Sequence, residues 1–278
     1  MNLSEAIETI KPSIVQIMFF AAGFSAQTQQ TFGRPFLRHP LGTGFLIHQA
    51  GYVVTANHVV EAGNNLLQQV EARDKKMVVG IAHTNSENMR GNFSLVDFDV
   101  GQTDSRHDLA LLRLQRNPIR GQVHSGIVIG EQEIPLVARV PVIDSSRPKE
   151  GLEIGISGYP LSESVLLTNS GHIASVWATD IADLHVPNAP EWFRLPDIVD
   201  RYLVDAEANP GNSGGPVYLV ENASVIGICV ATKPAPVRDQ DGKPALIGGK
   251  TLFYSSGLTL VVPAQYIVEL VKRQNADS

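Results

Sequence analysis

Short apolar runs rich in Val and Ile, separated by turn residues, follow one another along most of the chain. Runs of this length and spacing are typical of the strands of an all-β barrel or sandwich. The pattern predicts a first set of strands over residues 13–20, 44–48, 52–56, 77–82, 109–114 and 125–129. A second set is predicted over residues 137–142, 153–158, 165–179, 201–205, 216–219, 224–231 and 257–262.

Helices are predicted only at the two ends of the chain. Residues 3–10 form a short amphipathic stretch that Pro12 must end. Residues 263–272 begin with a proline, which suits the first turn of a helix, and place Ile267 and Leu270 on one face. We therefore expect a C-terminal helix packed against the second set of strands.

Turn residues between the two sets of strands predict a domain boundary. We place it near Gly130 and expect one unit over residues 1–130 and another over residues 131–278. Residues 186–200 predict a long surface loop of the kind that often carries function. Residues 18–40 hold half of the ten phenylalanines, which indicates a loop folded onto its own barrel or a contact surface for another subunit.

The composition of the chain limits its possible binding partners and its cellular location. The chain has 278 residues, and its net charge of −6 without a basic run disfavours binding to nucleic acid. Its apolar stretch over residues 14–24 is shorter than the roughly 20 residues that cross a bilayer, so no membrane partner is expected. Cys229 is the only cysteine, which excludes an internal disulfide and a cysteine zinc site and favours a reducing, cytoplasmic location. The histidines form no metal-binding pair, so we expect no metal and no cofactor.

Three short segments carry residues with complementary chemistry. TANHVV contains His58, RHDLALLRL contains Asp108 and NPGNSGGPV contains Ser213. A serine nucleophile needs a base to take its proton, and that base needs a carboxylate to hold its tautomer. Each segment alone also fits a structural role, as a buried histidine, a turn aspartate or a tight glycine turn. Together the three predict a catalytic triad.

The order of these residues along the chain separates the possible catalytic folds. GNSGG also fits the nucleophile turn of the α/β-hydrolases, but that fold places its histidine after the serine, and the last histidine here is His185. The subtilisin order needs an aspartate before the histidine, whereas the first aspartate is Asp74. The order His58, Asp108, Ser213 remains. Other carboxylates compete for the acid role but lack a following apolar strand: Asp97, Asp99 and Asp104.

The three segments resemble the signature segments of the chymotrypsin-clan (trypsin-like) serine proteases. GTGFLI, GISGYP, TNSGHIASV and VIGICVA are similar, in that order, to the HtrA-type branch, and the resemblance covers about residues 10–270. It implies a chymotrypsin-like fold of two six-stranded antiparallel β-barrels with the triad in the cleft between them. HtrA-type proteases are commonly trimers built on the N-terminal region, so a homo-oligomer is expected. They usually carry a C-terminal PDZ domain, which we do not expect here because few residues follow the predicted helix.

The resemblance also implies a role for each site residue. Ser213 attacks the scissile carbonyl, His58 takes its proton and later donates it to the leaving amine, and Asp108 orients His58. The N–H groups of Gly211 and Ser213 form the oxyanion hole, in a turn that Asn212 helps to shape.

Specificity depends on residues around the predicted nucleophile. Glu207 lies six residues before Ser213, where trypsin-like enzymes place the acid that selects Lys or Arg, although a surface carboxylate is the alternative. In the HtrA-type register, Ile228 and Val230 line an apolar pocket, which predicts cleavage after Val, Ala or similar residues.

We therefore expect a serine endopeptidase that cleaves unfolded or exposed polypeptide segments. The alternative is a non-catalytic or resting chaperone or binding module that keeps the protease fold.

Overall fold

An open β-sheet in the first half of the chain is followed by a closed β-barrel in the second half. The structure is a computed structural model that describes residues 1–25, 36–82, 92–129, 132–136, 138–176 and 200–276. Its buried apolar side chains form two clusters: the larger spans both halves, and the smaller fills the barrel. None of the helices in the described part of the chain combines the length and apolar character that crossing a bilayer requires.

Seven antiparallel strands form the sheet of the first half, in the order β5-β4-β1-β2-β3-β7-β6. The strands β1 to β7 are Ile14–Ala22, Phe36–His48, Tyr52–Ala56, Asp74–Ala82, Phe93–Val96, Phe98–Asp104 and Leu109–Leu114. The first half thus differs from the predicted closed six-stranded barrel. The two edge strands β5 and β6 are separated in the chain only by Asp97, but within the described residues they pair with β4 and β7 and not with each other.

Helix α1 is Leu3–Ile10, as the sequence predicts, and helix α2 over Asn57–Gln69 is an element that the sequence analysis misses. Its N-cap residue is Ala56, which has no side-chain acceptor for the first N–H groups, so the usual sequence signal for a helix start is absent. Gly63 interrupts its pattern because a Cβ there would lie 2.0 Å from the sulfur of Met77. The buried face of α2 packs on the open sheet and fixes the position of the residues that follow β3.

Six strands close the barrel of the second half, in the order β10-β11-β12-β17-β14-β13. This barrel confirms the predicted second barrel. Its strands are Glu153–Gly158 (β10), Leu167–Ser175 (β11), Tyr202–Val204 (β12), Pro216–Leu219 (β13), Val225–Pro236 (β14) and Phe253–Pro263 (β17). Two hairpins stand apart from the two sheets: His124–Ile129 (β8) with Gln132–Pro135 (β9), and Leu246–Ile247 (β15) with Lys250–Thr251 (β16).

Two predicted segments differ from the structure, and a third is not described by it. Residues 138–142 form no strand, because Pro141 has no N–H group and the N–H of Arg139 donates to the carbonyl of Pro12 (3.2 Å). The ends of the predicted insertion, residues 18–22 and 36–40, belong to β1 and β2, which pair along their full overlap. The predicted loop over residues 186–200 lies outside the described residues except for Asp200. The boundary near Gly130 stays a prediction.

The C-terminal helix α3 (Ala264–Ala276) confirms the predicted helix and joins the two halves. It follows β17 directly and packs on β14 and β17, as expected. It also packs on β6 and β7 of the first sheet, where the side-chain oxygen of Gln274 accepts from the N–H of Gln102 (3.0 Å). The helix therefore ties the barrel to the strand turn that precedes Asp108.

Candidate active site

His58 and Asp108 meet through both side chain and backbone. His58 lies in the first turn of α2, and its Nδ1 is 2.6 Å from Oδ2 of Asp108. The backbone N–H of His58 donates to Oδ1 of the same carboxylate (2.9 Å), and the N–H of Asn57 donates to the Asp108 carbonyl (2.9 Å). Asp108 thus supplies from a distant part of the chain the acceptors that Ala56 cannot provide at the start of α2.

This contact fixes the tautomer of His58. Because an ionised carboxylate only accepts hydrogen bonds, Nδ1 carries the proton and Nε2 is the basic nitrogen. The His58 side chain is 42% exposed in a cleft, whereas that of Asp108 is 4% exposed. Asp108 also has a left-handed backbone (φ 52°), a conformation that aspartate adopts more readily than most residues. The imidazole of His58 is therefore accessible, and the carboxylate that contacts it is enclosed.

Ser213 lies in a turn whose shape requires glycine. Gly211 has φ 103° and Gly214 has φ 87°, both in the region that side chains disfavour. A Cβ at Gly214 would lie 2.0 Å from the carbonyl oxygen of Thr43, so the turn approaches the first sheet closely. The turn is closed by two hydrogen bonds, from the N–H of Asn212 to Asn209 (2.9 Å) and from Gly215 to Asn212 (2.8 Å).

Among residues 211–215, the N–H groups of Gly211 and Ser213 have no hydrogen-bond acceptor within the described part of the chain. The N–H of Asn212 is taken up by the Asn209 carbonyl, which leaves Asn212 with the predicted role of shaping the turn. Its side-chain oxygen is buried and has no hydrogen-bond partner in the described part of the chain. The free donors are therefore the pair that the oxyanion-hole prediction names.

The hydroxyl of Ser213 does not bond to His58 in this structure. It faces the carbonyl of Val230 at 3.4 Å, and His58 and Ser213 line one cavity of about 590 Å³. Serine hydroxyls change direction by rotation about χ1. The structure thus brings the predicted base, acid and nucleophile to one cleft, with the His58–Asp108 hydrogen bond formed and the Ser213–His58 hydrogen bond not formed.

Only one of the three predicted specificity residues lines this cavity. Val230 does so, whereas Glu207 is exposed outside it and uses its carbonyl to accept from the side chain of Asn169. Ile228 is fully buried in the larger apolar cluster, and it lies in the part of β14 that pairs with Pro216 of β13. The register of β14 decides this placement, since residues beyond the β13 pairing border the cavity and earlier ones do not.

Several residues of the cavity wall are not predicted from the sequence. Cys229, Thr232 and Ala208 line it, and the Thr232 hydroxyl donates to the Ala208 carbonyl (2.6 Å). A bulge in β14 between Cys229 and Ala231 lets consecutive residues reach the same cavity, so simple alternation does not find them. Burial raises the pKa of the Cys229 thiol to about 12, so it forms a neutral, apolar part of the wall.

Several of the residues that line this cleft lie within a segment that matches a known protein family. The profile of the trypsin-like peptidase domain matches residues 42–228, which is more than half of the chain and includes His58, Asp108 and Ser213. The chain belongs to this family. The chain is also similar in sequence to DegP-like serine endoproteases, which supports the resemblance to the HtrA-type branch of the chymotrypsin clan.

The similar curated proteins are longer than this chain. "Probable periplasmic serine endoprotease DegP-like" of Marinomonas sp. (strain MWYL1) is 27% identical over 191 residues, which are 69% of this chain and 29% of that protein. The protein of the same name from Chlamydia trachomatis serovar D is 24% identical over 216 residues, which are 77% of this chain and 33% of that protein. The matched segment is thus about a third or less of these relatives.

These names overturn the expected cytoplasmic location, because the relatives are periplasmic proteins. The expectation was drawn from the single cysteine. A chain without cysteine pairs needs no disulfide for its stability, and such a chain is equally suited to an oxidising compartment.

A solved structure supports the fold. The "HtrA-type protease AlgW with decapeptide" superimposes with a TM-score of 0.57 at 16% identity, covering 98% of this chain and 67% of that one. At this identity the likeness concerns the fold alone. It is consistent with a chymotrypsin-like fold.

Proposed function

We propose that this domain is a serine endopeptidase in which Ser213 is the nucleophile, His58 the general base and Asp108 the carboxylate that orients it. The observation that carries the proposal is the 2.6 Å contact between His58 Nδ1 and Asp108 Oδ2 in the cavity that also contains Ser213. A buried carboxylate paired with an accessible imidazole leaves one basic nitrogen facing the nucleophile's cleft.

The proposed reaction transfers an acyl group to water. The Ser213 hydroxyl turns from Val230 to His58, attacks the scissile carbonyl and passes its proton to Nε2. The N–H groups of Gly211 and Ser213 donate to the oxyanion of the tetrahedral intermediate, and each such donor is worth roughly 10²–10³ in kcat. His58 then protonates the leaving amine, and a water molecule activated by His58 releases the acyl group.

The substrate is proposed to be an extended polypeptide segment. From Ala231 onward, β14 pairs only with β17 among the described residues, and residues of this part of the strand border the cavity. An extended chain can add to the edge of such a strand. The wall of small apolar residues, including Ala208 and Val230, favours small aliphatic side chains before the scissile bond. A peptide library cleaved mainly after Lys or Arg would contradict this preference.

Covalent labelling tests the proposed nucleophile. A fluorophosphonate probe is expected to label the intact protein at Ser213, identified by mass spectrometry of the labelled peptide. Ser213→Ala is expected to abolish labelling and to lower kcat by about 10⁶. Ser105→Ala is the matched control, because Ser105 lines the same cavity without a proposed catalytic role. Equal peptide hydrolysis by the Ser213 variant would contradict the proposal.

A second function has one observation in its favour: the Ser213 hydroxyl faces Val230 rather than His58. A resting or non-catalytic module would bind extended peptides in the same cleft without cleaving them. Absence of labelling, together with binding of a fluorescent casein peptide, would favour this alternative.

The expected homo-oligomer, a trimer, stays a prediction. Sedimentation equilibrium measures the oligomeric state directly.

A further inference from the structure

Thr43 of the first sheet reaches across the cleft to the turn that holds Ser213. It lies in β2, opposite Gln16 of β1, and is fully buried. Its hydroxyl donates to the carbonyl of Gly211 (2.7 Å), and its backbone N–H donates to the carbonyl of Ser213 (2.9 Å). One residue of the first half thus bonds to the peptide groups on both sides of the nucleophile.

The same hydroxyl also accepts a hydrogen bond, so it acts both as a donor and as an acceptor. The N–H of Tyr159 donates to it at 2.9 Å, and the Thr43 carbonyl accepts from the hydroxyl of Thr55 (2.7 Å). Glycines allow this close fit, since a Cβ at Gly158 would lie 2.8 Å from the Thr43 hydroxyl oxygen. A buried polar group held in this way is costly to leave without its partners.

These bonds restrain a backbone that is otherwise free to rotate. The Gly211 carbonyl is bound by Thr43 and the N–H of the same planar peptide, from Asn212, is bound by Asn209. The preceding peptide is held as well, because the Pro210 carbonyl accepts from the N–H of Leu161 (2.7 Å). Gly211 has no Cβ to limit its rotation, so these contacts fix the direction of its N–H.

We propose that Thr43 is a positioning residue for the oxyanion hole: its hydroxyl holds the Gly211–Asn212 peptide so that the N–H groups of Gly211 and Ser213 converge on the developing oxyanion. This inference rests on the proposed function. If Thr43 has this role, the geometry of the oxyanion hole in the second half of the chain depends on a side chain of the first half.

The test compares Thr43→Val, which keeps the shape and removes the hydroxyl, with Thr43→Ser, which keeps the hydroxyl. We expect Thr43→Val to lower kcat about 10²-fold, the effect of one misplaced oxyanion donor, with KM changed less than about threefold. Thr43→Ser is expected to retain kcat within about threefold. A peptide aldehyde, whose tetrahedral adduct places its oxygen in the oxyanion hole, should bind the valine variant about 10²-fold more weakly.

Thr259→Val is the matched control, because Thr259 is also fully buried and its hydroxyl donates to a backbone carbonyl, that of Ala206 (2.6 Å). It tests the general cost of losing a buried threonine hydroxyl. Unchanged kcat in Thr43→Val, or an equal loss in Thr43→Val and Thr43→Ser, would overturn the inference. If the valine variant does not fold, Thr43→Ala replaces it, and equal kcat in the alanine and serine variants would overturn the inference. Failure of the wild-type protein to hydrolyse peptides or react with fluorophosphonate would instead contradict the proposed function.

Discussion

Two His–Asp pairs lie side by side in this molecule, and only one has the surroundings of a catalytic base. His58 and Asp108 contact at 2.6 Å, and His107 and Asp104 contact at 3.1 Å. The Asp104 carboxylate also accepts from Arg273 of α3 (2.6 Å). The His107 ring stacks on Tyr266 at a centroid distance of 3.7 Å.

The difference between the pairs lies in what else each residue touches. The His58 side chain is 42% exposed in the cavity of Ser213, whereas that of His107 is 12% exposed and is covered by Tyr266. Asp104 already has a guanidinium partner, so His107 shares its carboxylate with Arg273. A short His–Asp distance alone therefore does not identify a base; His58, the proposed base, is also accessible, and its Asp108 partner has no guanidinium contact among the described residues.

The largest effect that separates the two pairs is expected in catalysis. Asp108→Asn should lower kcat about 10⁴-fold, because the amide no longer enforces the tautomer of His58. Asp104→Asn, its matched control, should change kcat less than about tenfold, since His107 does not line the cavity. Hydrolysis of a fluorogenic peptide measures both variants, with circular dichroism to check the fold. Similar losses in the two variants would remove the distinction.

The second pair should instead matter for stability. Asp104→Ala removes the acceptor of Arg273 and of the His107 backbone N–H (3.1 Å), so it loosens α3 from the turn before Asp108. We expect a decrease of about 1.5–3 kcal/mol in the free energy of unfolding, the usual range for hydrogen bonds to a charged group. Urea denaturation measures it. A variant as stable as the wild type would mean that the Arg273 contact contributes little.

The stabilisation by Asp104 should also depend on pH. Burial alone would raise the pKa of its carboxyl, but the hydrogen bonds from Arg273 and His107 outweigh burial and hold the pKa below its usual value. Stability from this group is therefore fully present above the pKa of an unfolded aspartate, about 4, and is lost as pH falls through the lower folded-state pKa. Urea midpoints measured from pH 6 downward should fall less steeply in Asp104→Asn than in the wild type. Equal slopes would contradict this assignment.

The sequence alone distinguishes Asp108 from Asp104, but it does so through the residues that flank each aspartate and not through the contacts that each one makes. Asp108 precedes the apolar run that becomes β7, and strand ends at a cleft are where catalytic residues are rigidly held. Asp104 ends β6, whose sequence FDVGQTD is polar and contains a glycine, so neither the strand nor its role is visible. The order of His58, Asp108 and Ser213 similarly needs only chemistry and position along the chain.

What the sequence does not reveal depends on contacts between distant residues. Helix α2 lacks a local cap because its cap comes from Asp108, fifty residues away. Ile228 and Val230 look equivalent in an alternating pattern and both are buried, yet only Val230, beyond the pairing with β13, lines the cavity. The contact of Thr43 with Gly211 likewise arises only when the two halves meet.

The smallest effect concerns the ring that covers His107. The Tyr266 hydroxyl donates to Oδ2 of Asp200 (3.1 Å), and that oxygen also accepts from Arg147 (2.7 Å). Tyr266→Phe keeps the stack on His107 and leaves Asp200 with its guanidinium partner, so we expect a loss of only about 0.5–1 kcal/mol and unchanged kcat. Tyr266→Leu, which also removes the stack, should cost more stability and still preserve kcat. A fall in kcat with the phenylalanine variant would mean that the second pair reaches the active site after all.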